Sequence, residues 1–410
     1  MFYKLLSYRA QPIIFFMFFV TYYMFTPLLV YCCAPDHFML LLAKISIVAA
    51  IGLLFGYIVL SRLLYIKPVH LVNISTKKFI SFIFFVFIIF LVLVITTSDN
   101  VPLFFALKNR DVYEIALSRA HFLKARVGME RLFVYANAVL TASFLPYIIL
   151  VSFVREYSFS WYVIAIPYFY SFLLLEKAFF LKFVLPFISY CSSFIHRSYN
   201  KKYLLLAVIS IPLVIFTNTV ISGFGSSSSS SSWDAKLNRK VEELKCGSFY
   251  SAGYTVCANN GRFNFILWRM IAVPVFTARD SLALFEEKYK DNLFYGRTST
   301  FISRLFHAQH VEFERETFNS EWGTDGSGTA SANSVFIIEQ FVNFGWLGVL
   351  LSSVLVGYMF AVLRRSTDIA LASMSILLSM SLFIGGLIPT MLSSGYLALF
   401  GFLFFVKLDD

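Results

Sequence analysis

The sequence predicts an all-α, polytopic integral membrane protein, and three observations predict it. Of 410 residues, 59% are hydrophobic and 14% charged, whereas a soluble domain has nearer half and a quarter. Phe alone occurs 49 times, more aromatic surface than a water-soluble interior can hide without leaving large patches exposed. The apolar residues also fall into runs of roughly 20, the length that crosses about 30 Å of hydrocarbon.

Those runs place spans at about 12–33, 38–60, 79–97 and 132–154. A longer block, 161–195, holds two short spans or a re-entrant segment around Glu176, Lys177 and Lys182. Further spans follow at 204–222, 335–363, 369–388 and 391–406, making about ten transmembrane helices. The chain thus divides into spans one to three (1–97), a basic outer loop (98–131), spans four to seven (132–222), one large outer loop (223–334) and spans eight to ten (335–410).

Orientation follows from the basic residues in short loops. Lys4 and Arg9 precede the first span, and Arg62, Lys67, Lys77 and Lys78 follow the second. Arg155, then Arg197, Lys201 and Lys202, then Arg364 and Arg365, then Lys407 recur at every second break. These ends are expected in the cytoplasm, with both termini. The first run lacks a small-residue cleavage site and is expected to stay as an anchor.

The outer loops carry most of the chemistry. Loop 98–131 breaks the positive-inside trend with Lys108, Arg110, Arg119, Lys124, Arg126 and Arg131. It is either a solvated segment balanced by Asp99, Asp111, Glu114 and Glu130, or a cationic surface for a phosphate-bearing ligand. In the second reading Arg119 and Arg126 contact substrate.

Loop 223–334 opens with a serine run, Ser226–Ser232, suited to a tether. Cys246 and Cys257 follow. Outside the cytoplasm they form a disulfide or remain two thiols. Cys32, Cys33 and Cys191 lie in or near spans and read as small apolar residues, and no His/Cys spacing suggests a metal. Residues 263–285 form an aromatic, amphipathic stretch with Trp268, Arg269, Pro274, Arg279 and Asp280, suited to the headgroup layer. Arg297, Arg304, His307, His310 and Arg315 come next. The loop closes on a glycine-rich segment ending at Asn333, whose backbone amides suit an anion or a sugar.

Several short patterns here resemble one family. They are Leu267-Trp-Arg-Met-Ile-Ala-Val-Pro274, Phe294-Tyr-Gly296, Ala332-Asn-Ser334 and Phe341-Val-Asn-Phe-Gly-Trp-Leu-Gly348, with ten residues between Arg315 and Gly326. Over about 262–365 the chain resembles bacterial oligosaccharide repeat-unit polymerases, the O-antigen polymerases. The resemblance implies a GT-C-like membrane fold and glycosyl transfer on undecaprenyl-diphosphate-linked oligosaccharides, at the periplasmic face of the bacterial inner membrane. It implies a chain-length-regulating co-polymerase as a partner, with no nucleic acid and no cofactor.

The residues suit that chemistry. Negative charge develops on a departing diphosphate, and Arg269, Arg279, Arg304, Arg315 and Lys177 are candidates to stabilise it. Lys177 alternatively pairs with Glu176 or snorkels. A base such as Asp280, Glu312, Glu314, His307 or His310 would take a proton from the acceptor hydroxyl. Arg269, Arg279, Asp280 and Arg315 are thus expected to be catalytic. Lys177, Arg119, Arg126, Arg304, His307, His310 and Asn333 are expected to bind substrate. Competing readings are an O-antigen ligase, a lipid-linked oligosaccharide flippase, which should show repeats and charges inside spans, and a structural or regulatory membrane protein.

Overall fold

The computed structural model describes residues 7–64, 68–108, 112–124, 126, 128–157, 160–175, 177–194, 272–322, 332 and 335–409. Among these, five helices are long and apolar enough to cross a membrane: α1 (Gln11–Cys33), α2 (His37–Leu63), α3 (Thr76–Thr96), α4 (Gly128–Val154) and α10 (Phe336–Arg365). Helices keep every backbone group satisfied in lipid, and the chain is a helical membrane protein. Their outward side chains are apolar, as with Phe82 and Phe85 on α3.

Shorter apolar helices fill in between. They are α5 (Ser160–Leu174), α6 (Lys177–Ser193), α11 (Ile369–Ile384) and α12 (Tyr396–Phe405). The expected runs 369–388 and 391–406 are interrupted at Gly385, which is extended, and at Gly395, which is left-handed with φ 75°. The expected span 204–222 lies outside the described residues.

Helices α2 and α10 approach one another closely. A Cβ added to Gly56 would lie 2.0 Å from the Val354 carbonyl oxygen. One added to Gly357 would lie 2.1 Å from the Leu53 carbonyl oxygen, and one on Gly52 would lie 2.9 Å from Ser353 Cβ. Gly52 and Gly56 on α2, with Ser353 and Gly357 on α10, make two facing small-xxx-small stripes, which let backbones touch where no hydrophobic effect drives association. Residue numbers rise together along the contact, so the two helices run parallel.

Helix α10 is two helices. Gly345 breaks it with φ 63° and ψ −154°. A Cβ on Gly348 would lie 2.8 Å from the Gln340 carbonyl oxygen, whereas eight residues of continuous helix would separate them by about 12 Å. Residues 336–344 therefore fold back along the start of 346–365. Phe336, Ile337, Ile338 and Val342 are fully buried, and the Phe336 ring lies 6.0 Å from that of Phe19 in the middle of α1. This is a re-entrant half-helix inside the bundle. The remaining stretch of roughly 20 residues still spans about 30 Å.

One end of the bundle is basic. Strand β1 (Val72–Ser75) pairs in parallel with β2 (Val406–Asp409). Arg155 donates to the Leu408 carbonyl at 3.3 Å, Lys77 sits over the Tyr157 ring, and Arg365 donates to the Ser61 carbonyl at 2.6 Å. Residues 61–64 and 72–78, Arg155, Arg364, Arg365 and Lys407 thus share one end, as the alternation of charge requires. The pairing of β1 with β2 has no signature in the sequence reading.

At the far end sits a small module of α7 (Val273–Tyr289), α8 (Thr300–Leu305) and α9 (Phe313–Trp322). Its core is aromatic. The Phe294 ring lies 5.4 Å from Phe285, 4.8 Å from Tyr289 and 5.5 Å from Phe313.

The glycine contact between α2 and α10 gives a direct test. Gly56→Ala and Gly357→Ala each drive a methyl into backbone, at or beyond the upper end of the roughly 1–3 kcal/mol that overpacking costs. Each should abolish the monodisperse peak in size-exclusion chromatography of detergent extracts. Gly401→Ala, with open space around its Cβ, should elute like wild type.

Candidate functional site

The far-end module is fixed to the bundle through one arginine. Asp36 begins α2 as its N-cap, its Oδ1 accepting from the Phe38 and Met39 amides at 2.8 and 3.2 Å. Its Oδ2 accepts from Arg279 Nε at 3.0 Å and from Nη2 at 2.8 Å. Arg279 Nη1 donates to Asp280 Oδ1 at 2.9 Å, and the guanidinium lies 5.1 Å from the Phe38 ring centre. Burial works against the arginine's charge, but hydrogen bonds to the two carboxylates outweigh it and raise its pKa. Burial likewise raises the Asp280 pKa, opposed by Arg279. Glu321, near the end of α9, lies close enough to Asp280 to influence its charge.

Beside this node lies a second acidic group. Glu339 sits on the re-entrant half-helix, 5% exposed. Its Oε2 accepts from the Ile388 amide and from Gln340 Nε2, each at 3.1 Å. Gly386 makes room for it, since a Cβ there would lie 2.5 Å from the carboxyl carbon. The break after α11 is therefore shaped around this carboxylate. Glu314 on α9 is close enough for the two charges to interact. Its surface is half-buried, but protein crowds it, and that desolvation pushes its carboxyl up to about 7.

Asn343 stitches the two parts together. Fully buried, it accepts from the Gly296 amide at 2.8 Å and donates to Thr298 Oγ1 and the Glu339 carbonyl, each at 2.8 Å. The Phe294 and Tyr295 amides donate to the Val342 and Asn343 carbonyls at 3.0 and 2.9 Å. Loop 293–298 is thereby held against the Gly345 turn.

The other expected site residues are dispersed. Arg315 pairs with Glu312 one turn away at 2.8 Å on an exposed face. Arg304 and His307 are exposed, while His310 Nδ1 lies 2.9 Å from the Arg297 carbonyl and so carries the proton there. Arg119 ends a short helix, Val112–Arg119, half-buried. Lys177 begins α6. Arg269, Asn333, Cys246 and Cys257 lie outside the described residues.

Arg126 has a structural task. It is 6% exposed and closes the C-terminus of α3. Nε donates to the Phe122 carbonyl at 2.7 Å and Nη2 to the Val94 carbonyl at 3.1 Å and to Ser98 Oγ. Nη1 donates to Thr97 Oγ1 at 2.7 Å and to Glu130 at 3.3 Å. These bonds use all of a guanidinium's donors, at the helix end where a cation is favoured.

Sequence reasoning passed over Asp36, Glu321 and Glu339. Glu339 had a signal, as the one acidic residue in the apolar run 335–363. Among the described residues no group of three His, Cys, Asp or Glu is placed to hold a metal ion. No protein-family model, curated protein or solved structure matches the chain.

Two outcomes are expected here. Arg126→Gln strips the α3 terminus of its donors, and each buried acceptor left unsatisfied costs about 1–3 kcal/mol. The melting temperature in detergent should fall by several degrees. Glu314 has a raised folded pKa, so the stability it allows is full below its ordinary 4.5 and is lost as pH rises through about 7. Glu314→Gln should melt like wild type at pH 4 and above it at pH 8. Parallel melting curves at both pH values would contradict this assignment.

Proposed function

We propose that the chain polymerises undecaprenyl-diphosphate-linked oligosaccharide repeat units into O-antigen or a related surface polysaccharide. The reaction is glycosyl transfer at the periplasmic face of the bacterial inner membrane. The family resemblance over about 262–365 motivates the reading. The observation that carries it is Glu314, a carboxyl that titrates near neutrality beside a re-entrant half-helix.

In this reading the acceptor hydroxyl oxygen attacks the anomeric carbon of the donor as its proton passes to Glu314. The bond from that carbon to the diphosphate oxygen breaks, and undecaprenyl diphosphate leaves. Arg269, just before α7 in the sequence, stabilises the departing charge. Arg279 is engaged by Asp36 and Asp280, so its part is to position α7.

A second reading has its own support. Two interrupted apolar segments, at Gly345 and at Gly385, meet at the buried Glu339, an arrangement suited to a lipid-linked oligosaccharide transporter. Deletion of the gene separates the readings. Loss of a polymerase leaves lipid A-core capped by one repeat unit. Loss of a ligase leaves uncapped core with polymer on the lipid carrier. Loss of a transporter leaves uncapped core with single repeat units on the carrier. The first pattern is expected, and either of the others would overturn the proposal.

A further inference from the structure

Helix α8 lies in a stretch that the sequence assigns to an extramembrane loop, yet its outer face is apolar. Phe301 and Leu305 are each 62% exposed, and Phe306 is 72% exposed. The opposite face is well used. Ser299 caps the helix, Ser303 is buried and donates to the Arg297 carbonyl at 3.0 Å, and Ile302 packs against Gly296. The exposed rings are therefore a built surface on a held scaffold.

Its depth can be placed. Arg364 and Arg365 mark one boundary of the membrane at the basic end. About 20 residues of helix, roughly 30 Å, lead from them to the Gly345 turn, which falls at the other boundary. Loop 293–298, just before α8, is hydrogen-bonded to residues 342 and 343 beside that turn. Phe344, Trp346 and Leu347 at the turn are exposed, and the strip continues down the span through Leu351 and Leu355. A Cβ on Gly296 would lie 2.9 Å from Ile302 of α8 and 3.6 Å from Phe344, which places α8 beside the upper end of this strip. From Arg297 to Val311 there is no acidic residue, while Arg304 and His307 are exposed among the rings. Aromatic rings with cations between them suit the headgroup layer.

We propose that α8 and Phe306 are a membrane-interface anchor that inserts into the phospholipid leaflet at the far end of the bundle. Phe301, Leu305 and Phe306 reach the acyl boundary, and Arg304 and His307 meet lipid phosphates. The anchor holds the module of α7, α8 and α9 at a fixed height over the bilayer, and it does not depend on the polymerase reading.

The test is lipid photocrosslinking. Phe306 is replaced by p-benzoyl-phenylalanine, and the full chain is reconstituted in vesicles of synthetic phosphatidylcholine and phosphatidylglycerol. After irradiation, mass spectrometry reads adducts at each labelled position. Phe82, on the lipid-facing side of α3, is the positive control, and the exposed Glu312 is the negative one. The expected result is a phospholipid adduct at 306 and 82 and none at 312. An adduct at 82 with none at 306 overturns the proposal. So does equal labelling at 306 and 312, or an adduct at 306 that forms only after a polyprenyl phosphate is added.

Discussion

The architecture rests on two backbones in contact inside the bundle. At Gly56 and Gly357 there is no room for a side-chain carbon, so α2 and α10 meet along their peptide planes. In lipid this contact gains nothing from water release and depends on packing alone. It fixes the height of α10 against α2, and hence the level of the Gly345 turn. It also places Asp36, at the start of α2, where Arg279 can reach it.

From that fixed point the polar chemistry is arranged by a chain of small accommodations. Gly345 lets residues 336–344 double back, which carries Glu339 into the interior. Gly386 leaves space for its carboxylate, and the amide of Ile388 receives it. Asn343 ties the half-helix to the loop after α7. Each device is local, but all refer to the same turn. The far-end module sits on the bundle through a buried asparagine, an arginine held by two carboxylates and the Phe285 ring 6.3 Å from that of Phe341, so its docking is polar as well as apolar.

The long spans were legible because a bilayer imposes a length. The runs 12–33, 38–60, 79–97, 132–154 and 335–363 each coincide with a long apolar helix. The fold-back at Gly345 was not legible, since hydropathy reads an unbroken run there and says nothing of direction. The sequence suggested Arg279 and Asp280 as a site, and they do meet in space, yet their partner Asp36 is too far along the chain for spacing to reveal. The sequence puts Arg126 in a basic outer loop without revealing that it closes α3, because its acceptors are mainly backbone carbonyls and hydroxyls, which carry no charge to balance in a count. Glu314 on a loop helix and Glu339 on the half-helix come near enough for their charges to interact, and no local pattern connects the two.

The parallel pairing of β1 and β2 has a consequence for assembly. Thr76 bonds the Asp409 carbonyl across 333 residues of chain, so the first strand is made well before its partner and waits for it. Until then the edge of 72–75 is open to any extended peptide nearby. Closing it joins α2 and α3 to α12, which makes the later strand a latch on helices already inserted. Topological frustration during biogenesis would concentrate there, at a four-residue ladder whose halves lie so far apart along the chain.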